Sequence, residues 1–236
     1  MSAHQFLLLG RATLAALLLA VCATAPDAAV AAAAAAASVA QASNAATTTT
    51  ATAVDASGPQ QLIESAANAM LRELSAHRAE YRKDPDKVYA LVDRILLPHF
   101  DVDYAARLVL AKNWRTATPE QRKRFSTAFY HSLLANYGDA LIDFSGDRIK
   151  VLPSQVDGTA VAATVRSEVK RSNGSKVPVN YTLRKTEQGW KAWDVVIEGI
   201  SYVKSFREDF GNEIETKGLD AVIQRLEAQA KAPKKT

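Results

Sequence analysis

One cysteine, two methionines, four histidines and ten glycines are all that 236 residues contain of these types, and each scarcity removes a class of chemistry. Cys22 has no second thiol to meet, so a disulfide framework and a multi-cysteine zinc site are excluded. His77, His99 and His131 fall on three different expected helices or their ends, without metal-ligand spacing, and read as surface or boundary residues. There is no Gly-x-Ser-x-Gly elbow and no glycine loop of the kind that cradles phosphate. Charge of one sign is not massed either: 29 basic against 25 acidic residues leave a net +4, interspersed along the chain. That pattern argues against a nucleic-acid partner. The local triplet Arg122-Lys123-Arg124 reads as a solvated helix face. No catalytic residue, metal or cofactor is expected.

Long hydrophobic runs are also missing. The apolar run Ala12–Ala23, preceded by Arg11, falls short of the about 20 residues that a spanning helix needs. Arginine, a short apolar run and then small residues make the layout of a secretory signal peptide, assigned to residues 1–25. Ala23-Thr24-Ala25 and Ala29-Val30-Ala31 are candidate cleavage sites. Leu19-Ala20-Val21-Cys22 resembles a lipoprotein box, although Val21 is bulky for it, and Cys22 is expected to leave with the signal. Residues 26–58 are mostly Ala, Ser, Thr and Val, with seven consecutive alanines and a run of four threonines. They offer no large side chains whose burial could offset the entropy of ordering, so they read as a flexible leader. The ordered domain is placed at 59–230 and a basic tail at 231–236.

What is present centres on Asp147–Ile200. Asp157-Gly158, Asn173-Gly174 and Gln188-Gly189 punctuate this stretch at intervals of roughly fifteen residues, and turns of this kind join antiparallel strands. Four strands follow. Val161, Ala163, Val165 and Val169 share one face of the second; Val177, Val179, Tyr181 and Leu183 share one face of the third. In the fourth, Trp193, Val195 and Ile197 alternate with Asp194, Val196 and Glu198. An antiparallel meander with one apolar face must bury that face against something.

Helices supply the cover. Leu62, Ile63, Ala66, Ala67, Met70, Leu71 and Leu74 form one stripe of a helix from Pro59 to about Tyr81. Asp84-Pro85 starts a second helix, carrying Val88, Leu91, Val92, Ile95 and Leu96, which Pro98 ends. Asp101 caps a third, with Ala105, Leu108, Val109 and Trp114. Thr118-Pro119-Glu120-Gln121 matches a capping box and opens a long fourth helix through Phe125, Phe129, Leu133, Tyr137 and Leu141. After the sheet, Ser201–Phe210 reads as a short helix, Gly211 and Gly218 bracket a break, and a last helix carries Leu219, Val222, Ile223 and Leu226. Helices, then a meander, then helices make an α+β fold.

Two questions stay open at this level. Asp194 and Glu198 share a strand face and could pair, but alternation points them away from the apolar side, toward solvent or toward Arg184 and Lys191. The aromatic residues Phe125, Phe129, Tyr137, Tyr181, Trp193, Phe206 and Phe210 suit either a solid core or the lining of an apolar ligand cavity. Periodicity is the same in both cases.

The segment Phe100-Asp101-Val102-Asp103-Tyr104-Ala105-Ala106-Arg107-Leu108-Val109-Leu110-Ala111-Lys112-Asn113-Trp114-Arg115, followed by Ala117–Arg122, resembles the MlaC (toluene-tolerance auxiliary) family. So do Trp190–Val203, with Asp194 and Glu198-Gly199-Ile200-Ser201, and Thr216-Lys217-Gly218-Leu219 after it. The likeness runs in consistent order from about Gln60 to Ala230; the long Ala/Thr leader departs from it. It implies an NTF2-like curved four-stranded sheet wrapped by helices around a deep apolar pocket. The implied protein is a periplasmic phospholipid carrier serving an outer-membrane lipoprotein complex and an inner-membrane ABC transporter with an MCE-domain ring, so as to maintain outer-membrane lipid asymmetry. A diacyl phospholipid is the expected ligand, and a monomer the default expectation. An NTF2-like enzyme, with a carboxylate or histidine inside the pocket, and a non-lipid periplasmic adaptor with a solid core are the rival readings.

Lipid-tail contacts are expected at the inward sheet positions Val165, Val179, Tyr181, Leu183, Trp193, Val195 and Ile197, and at Ile200, which matches a family pocket position. From the helices, Leu108, Val109, Phe129, Leu133 and Tyr137 are candidates, with Val203 and Phe206 near the mouth. Arg107 and Lys112 are candidates for the headgroup or for surface ion pairs. On this reading Ile200→Glu folds but carries little lipid.

Overall fold

The structure, a computed structural model, describes residues 54–142, 149–154, 156–170 and 173–231, with the side chains of 139 and 140 excepted. The expected signal segment, the leader up to Ala53 and the tail beyond Lys231 lie outside these residues. Of the leader, Val54 packs beside the first helix and the Asp55 N–H donates to Ser65 Oγ at 2.9 Å.

Among the described residues, five α-helices and one 3₁₀ turn precede the sheet. Helix α1, Pro59–Lys83, opens on its proline and departs from helical geometry at His77 (φ −122°). Helix α2 spans Asp86–Ile95. Asp84 does not cap it with its side chain as expected; its carbonyl accepts from Lys87 N–H at 3.2 Å instead. A single 3₁₀ turn, Leu97–His99, follows. Helix α3, Val102–Leu110, is capped by Asp101, whose Oδ1 accepts from Tyr104 N–H at 3.1 Å. Trp114 is not on that helix: Ala111, at φ 48°, ends it, and a short α4, Lys112–Thr116, carries the indole. The capping box closes in both directions, Gln121 N–H to Thr118 Oγ1 at 3.1 Å and Thr118 N–H to Gln121 Oε1 at 3.0 Å. It opens α5, Pro119–Ile142.

The sheet has five antiparallel strands in chain order, one more than expected: β1 Ile149–Val151, β2 Ala162–Lys170, β3 Lys176–Thr186, β4 Gly189–Ile197 and β5 Ile200–Ser201. Asp157-Gly158 is not a tight hairpin. It sits within the longer link from Leu152 to Val161, where Asp157 Oδ1 accepts from Thr159 N–H at 2.8 Å. Two-residue hairpins lie at Glu187-Gln188, closed by the pairing of Thr186 with Gly189, whose φ is 98°, and at Glu198-Gly199, closed by the pairing of Ile197 with Ile200. Val161 does not face inward. It is 72% exposed, because the chain bends there and β2 begins one residue later. Ser167 takes a buried place between Val165 and Val169 and donates its hydroxyl to the Val179 carbonyl at 2.9 Å, which satisfies the buried polar group.

β4 breaks the expected alternation. Thr182 pairs with Asp194 but Leu183 pairs with Ala192, so Trp193 is an extra residue, a β-bulge. Before it, Trp190 and Ala192 share the face of Leu183; after it, Val195 and Ile197 share the face of Tyr181 and Val179. Trp193 instead meets the Tyr104 ring edge-on at 5.5 Å.

After β5, helix α6 runs from Tyr202 to Lys217. It continues through Gly211 rather than breaking there, and Gly218, at φ 83°, ends it. One glycine in a helix interior costs about 1 kcal/mol, which the packing of Phe210 and Ile214 on either side offsets. Helix α7 is Leu219–Lys231. Helices α3, α5, α6 and α7 enclose a solid core. Phe125, Phe129, Phe206 and Phe210 are in mutual ring contact, at 5.8 Å for 125–129, 5.3 Å for 129–206, 5.7 Å for 206–210 and 5.9 Å for 125–210. Ion pairs Arg124–Glu227 and Arg225–Glu213 fasten α7 to α5 and α6.

Candidate functional site

Between α1 and the concave face of the sheet the interior is not filled. A cavity of about 550 Å³ lies there, within the range of small-ligand sites. Ala66, Ala67, Met70 and Leu71 of α1 form one wall; Val169, Val177, Val179, Val195 and Ile197 of the sheet face them. Leu133 and Tyr137 of α5 and Tyr202, Val203 and Phe206 of α6 close the sides. The gap has a simple origin. Two alanines on α1 oppose a row of valines, and short side chains on both walls cannot span the separation that the larger flanking residues set.

The lining is poor in charge. No lysine or arginine is among its described residues, and its ionisable side chains are His99, Asp194, Glu198 and tyrosines. The expectation that no carboxylate or histidine faces inward is therefore corrected. Burial, then nearby Lys191, holds His99 below the usual histidine range. Burial, with Tyr137 adding, pushes Tyr202 up to about 12; burial also raises Tyr181. These phenols stay neutral at ordinary pH.

Asp194 does not point to solvent or bind Arg184 and Lys191. It is 4% exposed, its Oδ1 accepts from Val203 N–H at 3.0 Å and its Oδ2 from Ser201 Oγ at 2.6 Å. Arg184 instead donates to Asp101 Oδ2 at 2.7 Å, and Lys191 to Gln188. Among the described residues no three His, Cys, Asp or Glu side chains converge as a metal site, and no helix is long and apolar enough to cross a membrane.

Of the residues singled out from the sequence, Phe129, Leu133, Tyr137, Val179, Tyr181, Trp193, Val195, Ile197, Val203 and Phe206 line the cavity. Val165 and Leu183 do not. They pack with Leu62, Trp190 and Ala192 at the closed end of the sheet. Val109 is buried in the solid helical core and Leu108 packs against it. Ile200 is 47% exposed, displaced outward by the turn at Glu198 (φ 51°) and Gly199 (φ 84°). Lys112 pairs with Glu215 at 2.5 Å, and the Arg107 guanidinium lies 5.4 Å from the centre of the Tyr104 ring. The α1 wall is what sequence reasoning missed. Its stripe was visible, and the adjacent alanines within that stripe were the available signal of room.

A second concavity, a groove of about 800 Å³ between α5 and α7, is lined by Lys123, Arg124, His131, Glu227 and Lys231. Its charged walls suit water better than hydrocarbon.

A partly open apolar chamber inside an α+β shell makes a protein with a site for apolar small molecules rather than a scaffold with a filled interior. The family model described as "MlaC protein" matches residues 64–228, and the chain belongs to that family. It is 33% identical over 168 residues to the toluene tolerance protein ttg2D of Pseudomonas putida, covering 71% of this chain and 78% of that protein. It is 24% identical over 185 residues to the intermembrane phospholipid transport system binding protein MlaC of Haemophilus influenzae, covering 77% and 86%. A phospholipid-binding protein from Ralstonia solanacearum, solved in complex with a phospholipid, has the same fold. Its TM-score is 0.67 at 24% identity, over 72% of this chain and 96% of that one.

Proposed function

We propose that the protein is a phospholipid carrier of the periplasm, not an enzyme. It takes a phospholipid by its acyl chains and passes it between an outer-membrane lipoprotein complex and an inner-membrane MCE-domain ABC transporter. The single observation that carries this reading is a chamber whose described lining has apolar walls and no cationic side chain, in a chain of the MlaC family.

The energetics suit it. Hiding two acyl chains of some sixteen carbons from water, at about 0.8 kcal/mol per methylene, is worth on the order of 25 kcal/mol. Few polar contacts are then needed, and none that forms or breaks a covalent bond. The enzyme reading would have to rest on His99, Asp194 or Glu198, the chamber's ionisable side chains besides its tyrosines; both carboxylate oxygens of Asp194 are already engaged. The test is organic extraction and native mass spectrometry of the purified protein, followed by transfer of the extracted lipid to vesicles. Co-purifying phospholipid that moves to acceptor vesicles is expected. Protein free of lipid, with no uptake from vesicles, would overturn the proposal.

A further inference from the structure

A methylene takes about the same room as a water molecule in the liquid, roughly 30 Å³. The chamber's 550 Å³ therefore accommodates about eighteen methylenes, enough for one long acyl chain. Entry and exit of a two-tailed lipid require a wall to give way. α1 is held along its length by α2, α5 and the sheet. α6 is different at its two ends. Phe210 and Ile214 lie in the solid core, whereas its first turn brings Tyr202 and Val203 to the chamber, with Phe206 just after; Val203 and Phe206 pack on that core as well.

That first turn is joined to the sheet by a small set of bonds. β5 contributes two residue pairs, Val196–Ser201 and Ile197–Ile200. The chain reaches β5 through Glu198 and Gly199, both at positive φ. The rest is Asp194. From β4, its carboxylate accepts from the Val203 N–H and from the Ser201 hydroxyl, while Ser201 Oγ accepts from Lys204 N–H at 3.1 Å. The first turn of α6 has no acidic residue of its own. A neighbouring strand thus supplies the negative charge and one of the acceptors that a helix N-terminus favours.

We propose that Asp194 is a positioning residue that clamps the first turn of α6 over the chamber, and that parting its two hydrogen bonds is the step that lets lipid in and out. The inference rests on the carrier reading. It goes further by naming the wall that moves and the group that holds it. Hydrogen bonds to a buried carboxylate are among the stronger ones, so the clamp sets a rate.

The test compares wild type with Asp194→Asn and Ser201→Ala, and with Leu226→Ala, which destabilises the solid core at a residue that does not line the chamber. Each is loaded with a phosphatidylcholine bearing a pyrene-labelled tail and mixed with phosphatidylcholine vesicles that contain a quencher lipid. Loss of pyrene monomer fluorescence reports the transfer rate. Asp194→Asn and Ser201→Ala are expected to transfer about tenfold faster, the effect of losing one charge-assisted bond. Their Val203 and Lys204 amides should also exchange hydrogen faster. Leu226→Ala should lower the Tm yet transfer at the wild-type rate. Wild-type rates in both clamp variants, or equal acceleration by Leu226→Ala, would overturn the clamp and leave the carrier reading standing. A wild-type protein that neither holds nor transfers the labelled lipid would overturn both.

Discussion

The core under α3, α5, α6 and α7 and the chamber under α1 and the sheet are adjacent and share Phe129, Val203 and Phe206. Both are walled by apolar side chains, yet one is filled and the other hollow. On the filled side four phenylalanines interlock and Leu110, Ile223 and Leu226 occupy what remains. On the hollow side Ala66 and Ala67 look across at valines. Polarity is the same, and side-chain length makes the difference. Phe129 and Phe206 stand at the border, so the packed half also forms one side of the chamber.

The comparison can be broken most directly by large-to-small substitution. Phe125→Ala, in the filled half, is expected to cost about 3–5 kcal/mol. Val179→Ala, beside an existing void, should cost only about 1 kcal/mol. Urea unfolding of lipid-free protein measures both, and a cost for Val179→Ala approaching that of Phe125→Ala would contradict the hollow. The reverse substitution sharpens it. Ala106 is 0% exposed in the solid core, and Ala106→Phe should destabilise by about 1–3 kcal/mol or more. Ala66→Phe has room to turn into, so it should leave stability within about 0.5 kcal/mol while removing bound lipid, as read by extraction.

Ile200→Glu marks the outer border. The side chain is already half in water and lies off the chamber, so less than about 0.5 kcal/mol of stability should change, with lipid content unaltered. This reverses what a family match alone suggested for that position.

Acid separates the halves by small amounts. His99, on the chamber, has a lowered pKa, so the unfolded chain binds protons more readily as pH drops below 6.5. Stability contributed on that side is lost from there down to the folded value. Glu213, in the helical half, is held below the ordinary glutamate value of 4.5: burial opposes this, but Arg225, with Lys217 adding, outweighs it. Its contribution is present above 4.5 and is lost as pH falls through the folded pKa. Thermal melts against pH should show the first loss vanish in His99→Gln and the second in Glu213→Gln, each at most about 1 kcal/mol.

Local chemistry was the readable part of this chain. The Thr118–Gln121 box and the Asp101 cap could be placed because each is written within four consecutive residues. The inward faces of β2 and β3 followed from period-two alternation. β4 was misread at Trp193 because a bulge leaves no mark in an alternating pattern; it shows only once Thr182 and Leu183 are seen to pair across it. Asp194 looked exposed because its partners, Ser201 and Val203, lie past a turn that bends the chain back on itself. The hollow was barely legible, since alternation reports which face is apolar and says nothing about how far off the opposite wall stands; Ala66 and Ala67 side by side on α1 were its one trace.

The bulge at Trp193 has a consequence for how this gene can vary in length. Loss of the Trp193 codon would remove the extra residue and leave Thr182–Asp194, Tyr181–Val195 and Val179–Ile197 paired as they are. Val195 and Ile197 would stay on the chamber face, and only the indole with its contact to Tyr104 would go. One codon gained between Asp194 and Val195 would instead turn the strand's last residues to the other face, so this strand should tolerate shortening at its bulge and resist lengthening beyond it.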